Sequence, residues 1–108
     1  MSTTTRDFDK EAAGWDEHPT RVKLAQDVAN AIARAVPLGP TMDVLDFGCG
    51  TGIGTLQLAP SVGSITGVDS SAGMLEVLNA KIDRLGQNNV TTRRLDAGDD
   101  LSGAYDLI

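Results

Sequence analysis

The chain has 108 residues, 41% of them hydrophobic, which suffices for one soluble domain around a single core and no more. Nine Lys and Arg against 15 Asp and Glu give a formal net charge of -6, and apart from Arg93-Arg94 the cations are scattered, which disfavours a grip on nucleic-acid phosphates or anionic lipid. Cys49 is the only cysteine, so an internal disulfide is excluded, and a polar start with no apolar run of membrane-spanning length leads to the expectation of a cytoplasmic protein.

Residues 1–7 read as a loose polar start, and residues 8–17 as an arm with two aromatics, Phe8 and Trp15, among mixed charges. The arm as a whole is taken as residues 1–18 and the domain proper as 19–108. Pro19 suits the first turn of a helix, where its missing N–H costs nothing. Val22, Ala25, Val28, Ala29, Ile32 and Val36 follow at helical spacing, and Pro37 stops the run. A turn at Leu38-Gly39-Pro40 leads into a first strand over about residues 42–47. A short helix over 54–59 is expected to end at Pro60, and residues 64–69, dominated by β-branched types, read as the second strand. Ser70 or Ser71 can cap the next helix, whose apolar stripe is Met74, Leu75, Leu78, Ile82 and Leu85 and whose stop is Gly86. A turn at Asn88-Asn89 opens a third strand over 90–95, and residues 105–108 read as the start of a fourth. Alternation of strand and helix predicts an α/β fold with a parallel sheet, right-handed crossovers and helices on both faces.

The most informative run is Val44-Leu45-Asp46-Phe47-Gly48-Cys49-Gly50-Thr51-Gly52: an apolar strand ending in an acidic residue, then three alternating glycines. Glycine admits positive φ and lets a ligand approach the main chain closely. The dinucleotide fingerprint G-x-G-x-x-G/A fails in both frames, because its last position falls on Ile53 or Thr55, and no Gly-Lys-Ser/Thr follows to make a phosphate loop. A carboxylate at Asp46 would repel a pyrophosphate and suit a ligand carrying an ammonium or sulfonium, as S-adenosylmethionine does. Each of the first three strands closes on an aspartate, Asp46, Asp69 and Asp96, and in such a sheet ligands bind at the carboxyl ends of the strands. Asp69 stands 21 residues past Gly48, close to the ~20-residue offset at which a carboxylate meets ribose hydroxyls. Asp96 with the Ala97 amide has the groups to read an adenine edge.

The pattern Asp46-x-Gly48-x-Gly50-x-Gly52, with Asp69-Ser70-Ser71-Ala72-Gly73-Met74-Leu75 and Leu95-Asp96-Ala97 downstream, resembles the class I S-adenosylmethionine-dependent methyltransferases from about Phe8 to the last residue. The arm Phe8-Asp9-Lys10-Glu11-Ala12-Ala13-Gly14-Trp15-Asp16 is similar to that of small-molecule methyltransferases related to the quinone-biosynthesis enzymes. The resemblance implies a Rossmann-like doubly wound sheet of strand order 3-2-1-4, present here as its N-terminal half, with S-adenosyl-L-methionine as cofactor and S-adenosyl-L-homocysteine as product. It implies cofactor contacts at Asp46, Gly48, Gly50, Thr51, Gly52, Asp69, Ser70, Met74, Asp96 and Ala97, with Thr51 and the loop amides on the methionine carboxylate. Met74 is open to two readings, packing on the adenine or filling the core, and Trp15 to two, covering the donor or merely packing the arm. His18 reads as a solvated residue before a proline, Cys49 as a small loop residue, and no metal-ligand spacing occurs.

The expected activity is methyl transfer to a small-molecule acceptor, with no residue of the chain an obligatory acid or base and with the chain by itself inactive. The expected partners exclude nucleic acid and membrane and include a second copy, joined through the sheet edge that a fourth strand would cover. Two other readings stand beside this one: a truncated fragment that binds the donor weakly or not at all, and a nicotinamide-dependent oxidoreductase.

Overall fold

A computed structural model describes residues 8–95. The side chain of Phe8, the pair Asp96 and Ala97, and the fourth strand expected at 105–108 lie outside the described residues.

The arm folds as a one-turn helix α1 (Phe8–Ala12) and a 3-10 turn, Trp15–Glu17. His18 then takes an extended conformation and Pro19 opens α2 (Pro19–Ala35), as a proline with preset φ and no N–H should. Three parallel strands follow, β1 (Asp43–Phe47), β2 (Ser64–Asp69) and β3 (Val90–Arg94), with α3 (Ile53–Leu58) between the first pair and α4 (Ala72–Leu85) between the second. The spatial order is β1-β2-β3, the 3-2-1 part of the expected sheet. The chain is therefore α/β and Rossmann-like.

In-register pairing sets Val44 beside Ile65 and Ile65 beside Val90 on one face, where Ala29 of α2 and Leu58 of α3 complete a buried cluster and Ile82 of α4 packs against it. Leu45 and Val68 alternate to the opposite face and are buried too, whereas Thr66 and Thr91 on that face bond each other at 2.9 Å within reach of water. Burying each such side chain stabilises by about 1.5–3 kcal/mol, and the cluster holds the carboxyl ends of β1 and β2 in fixed relation.

Three details differ from the periodicity. Val28 is 51% exposed and only Ala29 of α2 is buried, because α2 rests mainly on α3 rather than on the sheet. Leu85, the last residue of α4, is 57% exposed. The α-helix α3 ends at Leu58, before Pro60 as expected, but the chain then tightens into a 3-10 turn, Ala59–Ser61, which accepts a proline near its start. Among the described residues no helix is long and apolar enough to cross a membrane.

Candidate functional site

At the carboxyl end of β1 the chain turns through Gly48, Gly50 and Gly52 with φ of 70°, 58° and 81°, the left-handed region that a side chain disfavours. The Gly48 and Cys49 amides both donate to the Val68 carbonyl, at 2.7 and 3.0 Å, which folds the loop back over the end of β2. There Asp69 acts as a hub. Its Oδ2 accepts from the Gly50 amide at 2.9 Å and its Oδ1 from the Ser71 amide at 2.9 Å. Ser71, rather than Ser70, caps α4, its Oγ accepting from the Met74 amide at 3.2 Å.

These elements enclose a cavity of about 280 Å³ lined by Trp15, Gly48, Gly50, Asp69, Ser70 and Met74. A Cβ built on Gly48 or Gly50 would meet nothing within 4 Å, so the absent side chains leave open space against the main chain. The two carboxylate oxygens of Asp69 have about four lone-pair sites and two are used, which leaves acceptor capacity for a pair of hydroxyls. Met74 is 2% exposed, a core side chain as one reading had it, and it also forms part of the cavity wall. Trp15 likewise packs the arm and walls the cavity.

Three residues expected in the same crevice are not in the lining of this cavity. Asp46 lines a neighbouring cavity of about 260 Å³ with Val28, Ala29, Phe47 and Leu58, and its Oδ2 accepts from the Thr55 hydroxyl at 2.6 Å. Thr51 is buried, and its hydroxyl donates to Asp16 Oδ1 at 2.6 Å. Gly52 is buried where a Cβ would lie 2.2 Å from Leu78 Cδ1, so it permits close packing between the loop and α4.

Burial pushes the Asp46 carboxyl above its ordinary value of 3.8; the Thr55 hydrogen bond opposes the rise and the Asp69 charge adds to it. A carboxyl raised on folding favours the folded state fully below its ordinary pKa and loses that contribution as pH rises through the folded value. We therefore expect Asp46→Asn, whose amide oxygen still accepts from Thr55, to melt above the parent at pH 7. The gap should close as thermal scans are repeated toward pH 3.8, and a variant melting below the parent at neutral pH would contradict the assignment.

Burial, and then the Asp46 and Asp69 charges, push the Cys49 thiol up to about 12, so no thiolate nucleophile is available there. His18 is exposed at the start of α2, away from the cavity walls. Among the described residues no group of three His, Cys, Asp or Glu is placed to hold a metal.

The structure also brings in residues that sequence reading passed over. Asp9 Oδ1 accepts from the Ser71 hydroxyl and the Gly73 amide, both at 2.6 Å, and these bonds, the hydroxyl's first, hold its carboxyl below 3.8. Lys81 pairs with Asp16 and donates to the Thr51 carbonyl at 3.0 Å. One signal for Lys81 was present: it lies seven residues after Met74, on the inward stripe of α4, where a cation implies a partner. Asp9 and Asp16 offered none.

A family model described as a methyltransferase domain matches residues 44–108. The chain belongs to the class I S-adenosylmethionine-dependent methyltransferases. This methyltransferase chain is 36% identical over 94 residues to the uncharacterized methyltransferase AN0656 of Emericella nidulans, covering 83% of the chain and 31% of that relative. It is 34% identical over 99 residues to the trans-aconitate 2-methyltransferase of Deinococcus radiodurans, covering 84% of the chain and 36% of that relative. Among solved structures the DhpI-SAH complex superposes with a TM-score of 0.61 at 28% identity, over 82% of this chain and 41% of the other. The chain thus spans about a third of the length of the curated relatives it matches. The methyl donor of the family is S-adenosylmethionine, and related structures hold S-adenosylhomocysteine.

Proposed function

We propose that the described residues form the donor half of a site that transfers a methyl group from S-adenosylmethionine to a small-molecule acceptor. The observation that carries the reading is the cavity bounded by Gly48, Gly50, Asp69, Ser70 and Met74. Its residues fit the donor. The open Cβ positions at Gly48 and Gly50 leave room for a ligand on the main chain, Asp69 keeps acceptor capacity for ribose hydroxyls, and Met74 offers a polarizable face for a base. Asp46 lies close enough to Asp69 to feel its charge, and two carboxylates so placed favour a cationic ligand over a pyrophosphate.

The donor supplies a methyl already activated on a sulfonium, so the protein's part is positioning and exclusion of water. Asp69 and the glycine loop fix the nucleoside, and Trp15 closes one side. The acceptor belongs beside this cavity, where two further cavities of about 230 and 260 Å³ open between α2 and the loop, walled by Leu24, Ala25, Val28 and Ile32. A small acceptor agrees with the trans-aconitate specificity in the name of the Deinococcus radiodurans relative. Self-association through the free side of β1 is part of the same proposal, since among the described residues β1 pairs with β2 alone.

Calorimetric titration separates this reading from its alternatives. S-adenosylhomocysteine should bind saturably with one site per chain, and NADH should give no heat beyond dilution. Heat with NADH and none with S-adenosylhomocysteine would assign the site to a dinucleotide, and no heat with either would leave a fragment that does not bind the donor.

A further inference from the structure

The arm cannot hold its own shape, because five residues of helix and a three-residue turn are far below the length at which a helix stands alone. Its position must come from what it touches, and two of its contacts with the domain are made by aspartates. Asp9 reaches the start of α4, accepting from the Ser71 hydroxyl and the Gly73 amide. A Cβ on Gly73 would stand 2.7 Å from Asp9 Cα, so the two backbones approach as only glycine permits. Asp16 reaches the glycine loop, where one oxygen accepts from the Thr51 hydroxyl and the other pairs with Lys81, which in turn donates to the Thr51 carbonyl. In that ring of three Thr51 is buried, the Lys81 side chain is 13% exposed and that of Asp16 is 35% exposed.

Both contacts end one step from Asp69. Ser71 gives its hydroxyl to Asp9 and its amide to Asp69 Oδ1. Thr51 gives its hydroxyl to Asp16, and its neighbour Gly50 gives its amide to Asp69 Oδ2. Between the two aspartates lies Trp15, the arm's contribution to the cavity wall, with the Arg21 guanidinium 3.9 Å from its ring centroid and Arg21 also paired with Glu11.

We propose that Asp9 and Asp16 are positioning residues that latch the arm shut over the cavity, Asp9 through Ser71 and Asp16 through Thr51 and Lys81, so that Trp15 and the Asp69 carboxylate are set together. The consequence for the donor rests on the methyltransferase reading of the cavity; the latch itself does not. Asp16 and Thr51 are absent from the lining of the Asp69 cavity, so the aspartate secures the wall and does not occupy the donor's place. The Asp16–Lys81 pair, 35% and 13% exposed, is better shielded than the Lys23–Asp27 pair at 76% and 56%, while Asp9 is exposed and holds through two short charge-assisted hydrogen bonds.

Trp15 is the only tryptophan, so its fluorescence reports the arm directly. We would measure acrylamide quenching of the 108-residue chain and its Asp9→Asn, Asp16→Asn, Lys81→Met and Lys81→Arg variants, with Lys23→Ala as the control. The latch predicts that quenching rises about twofold in the first three as the ring leaves its wall, returns toward the parent in Lys81→Arg and is unmoved in Lys23→Ala. S-adenosylhomocysteine affinity should fall about tenfold in the same three variants, through faster dissociation, while their cooperative melts persist. Quenching at the parent level in both aspartate variants would overturn the latch. A released Trp15 with unchanged affinity would overturn its coupling to the donor. If an aspartate variant lost its cooperative melt, Lys81→Met against Lys81→Arg, which leaves the arm's sequence intact, decides the point. Should the parent fail to bind S-adenosylhomocysteine, the donor reading falls while the quenching series still decides the latch.

Discussion

Replacing Asp69 by alanine should weaken S-adenosylhomocysteine binding by about 1–3 kcal/mol, the cost of removing a charged hydrogen-bonding partner. The number has two sources that can be separated. One is the lost acceptor for the ribose hydroxyls. The other is the loop itself, since Asp69 accepts the Gly50 and Ser71 amides and its loss leaves two donors to find water. Asp69→Asn keeps a single acceptor oxygen, so it can satisfy one amide but not both amides and a diol. Calorimetry should therefore rank affinity as parent above Asp69→Asn above Asp69→Ala. Thermal melts should show a loss in Asp69→Ala even without ligand, because the hub is structural as well. Equal affinities across the three would remove Asp69 from the ribose and leave it only the loop.

What could be read from the sequence, and what could not, divides along the range of the interactions. The strands and the helix α4 were legible because alternation and helical spacing act within a few residues, and Ser64–Asp69 and the Gly86 stop fall where the pattern puts them. The glycine loop was legible as a loop, and its positive φ values follow from residue type. The sorting of site residues was not. Asp46 and Asp69 both stand near the carboxyl ends of adjacent strands, but Asp46 pairs with Gly67, two residues short of Asp69, and bonds Thr55 of α3, and of the two only Asp69 walls the 280 Å³ cavity. Thr51 was expected on the ligand, but Asp16, 35 residues earlier, takes its hydroxyl. Contacts over such separations are fixed by how α1 and α2 fold back on the domain, which no local pattern records. Leu85 continued the stripe of α4 on paper, yet as the last residue of the helix it is 57% exposed.

The three glycines that look equivalent in the motif should respond very differently to alanine, and Gly52→Ala should be the most destabilising substitution in the loop. Gly52 has φ of 81°, so any side chain there costs about 1–2 kcal/mol for the left-handed backbone. Its Cβ would also lie 2.2 Å from Leu78 Cδ1 and 3.0 Å from Leu78 Cγ. Leu78 is fully buried and cannot swing into solvent, so the overlap must be absorbed by the core at a further cost of about 1–3 kcal/mol. The sum, roughly 2–5 kcal/mol, is a large part of the ~5–15 kcal/mol that holds a domain folded. Gly48 separates the two components, for its φ of 70° carries the same backbone cost while its Cβ meets nothing within 4 Å. Gly48→Ala should therefore lose only about 1–2 kcal/mol of stability, yet it projects a methyl toward the cavity that Asp69 walls and should weaken S-adenosylhomocysteine more than it weakens the fold. Denaturant unfolding and calorimetry on the two variants decide the matter together. Combining Gly52→Ala with Leu78→Ala should recover part of the overlap cost in a double-mutant cycle and none of the backbone cost. If the two alanines cost the fold equally, the collision with Leu78 is relieved by some movement of α4, and the loop's third glycine serves its backbone conformation alone.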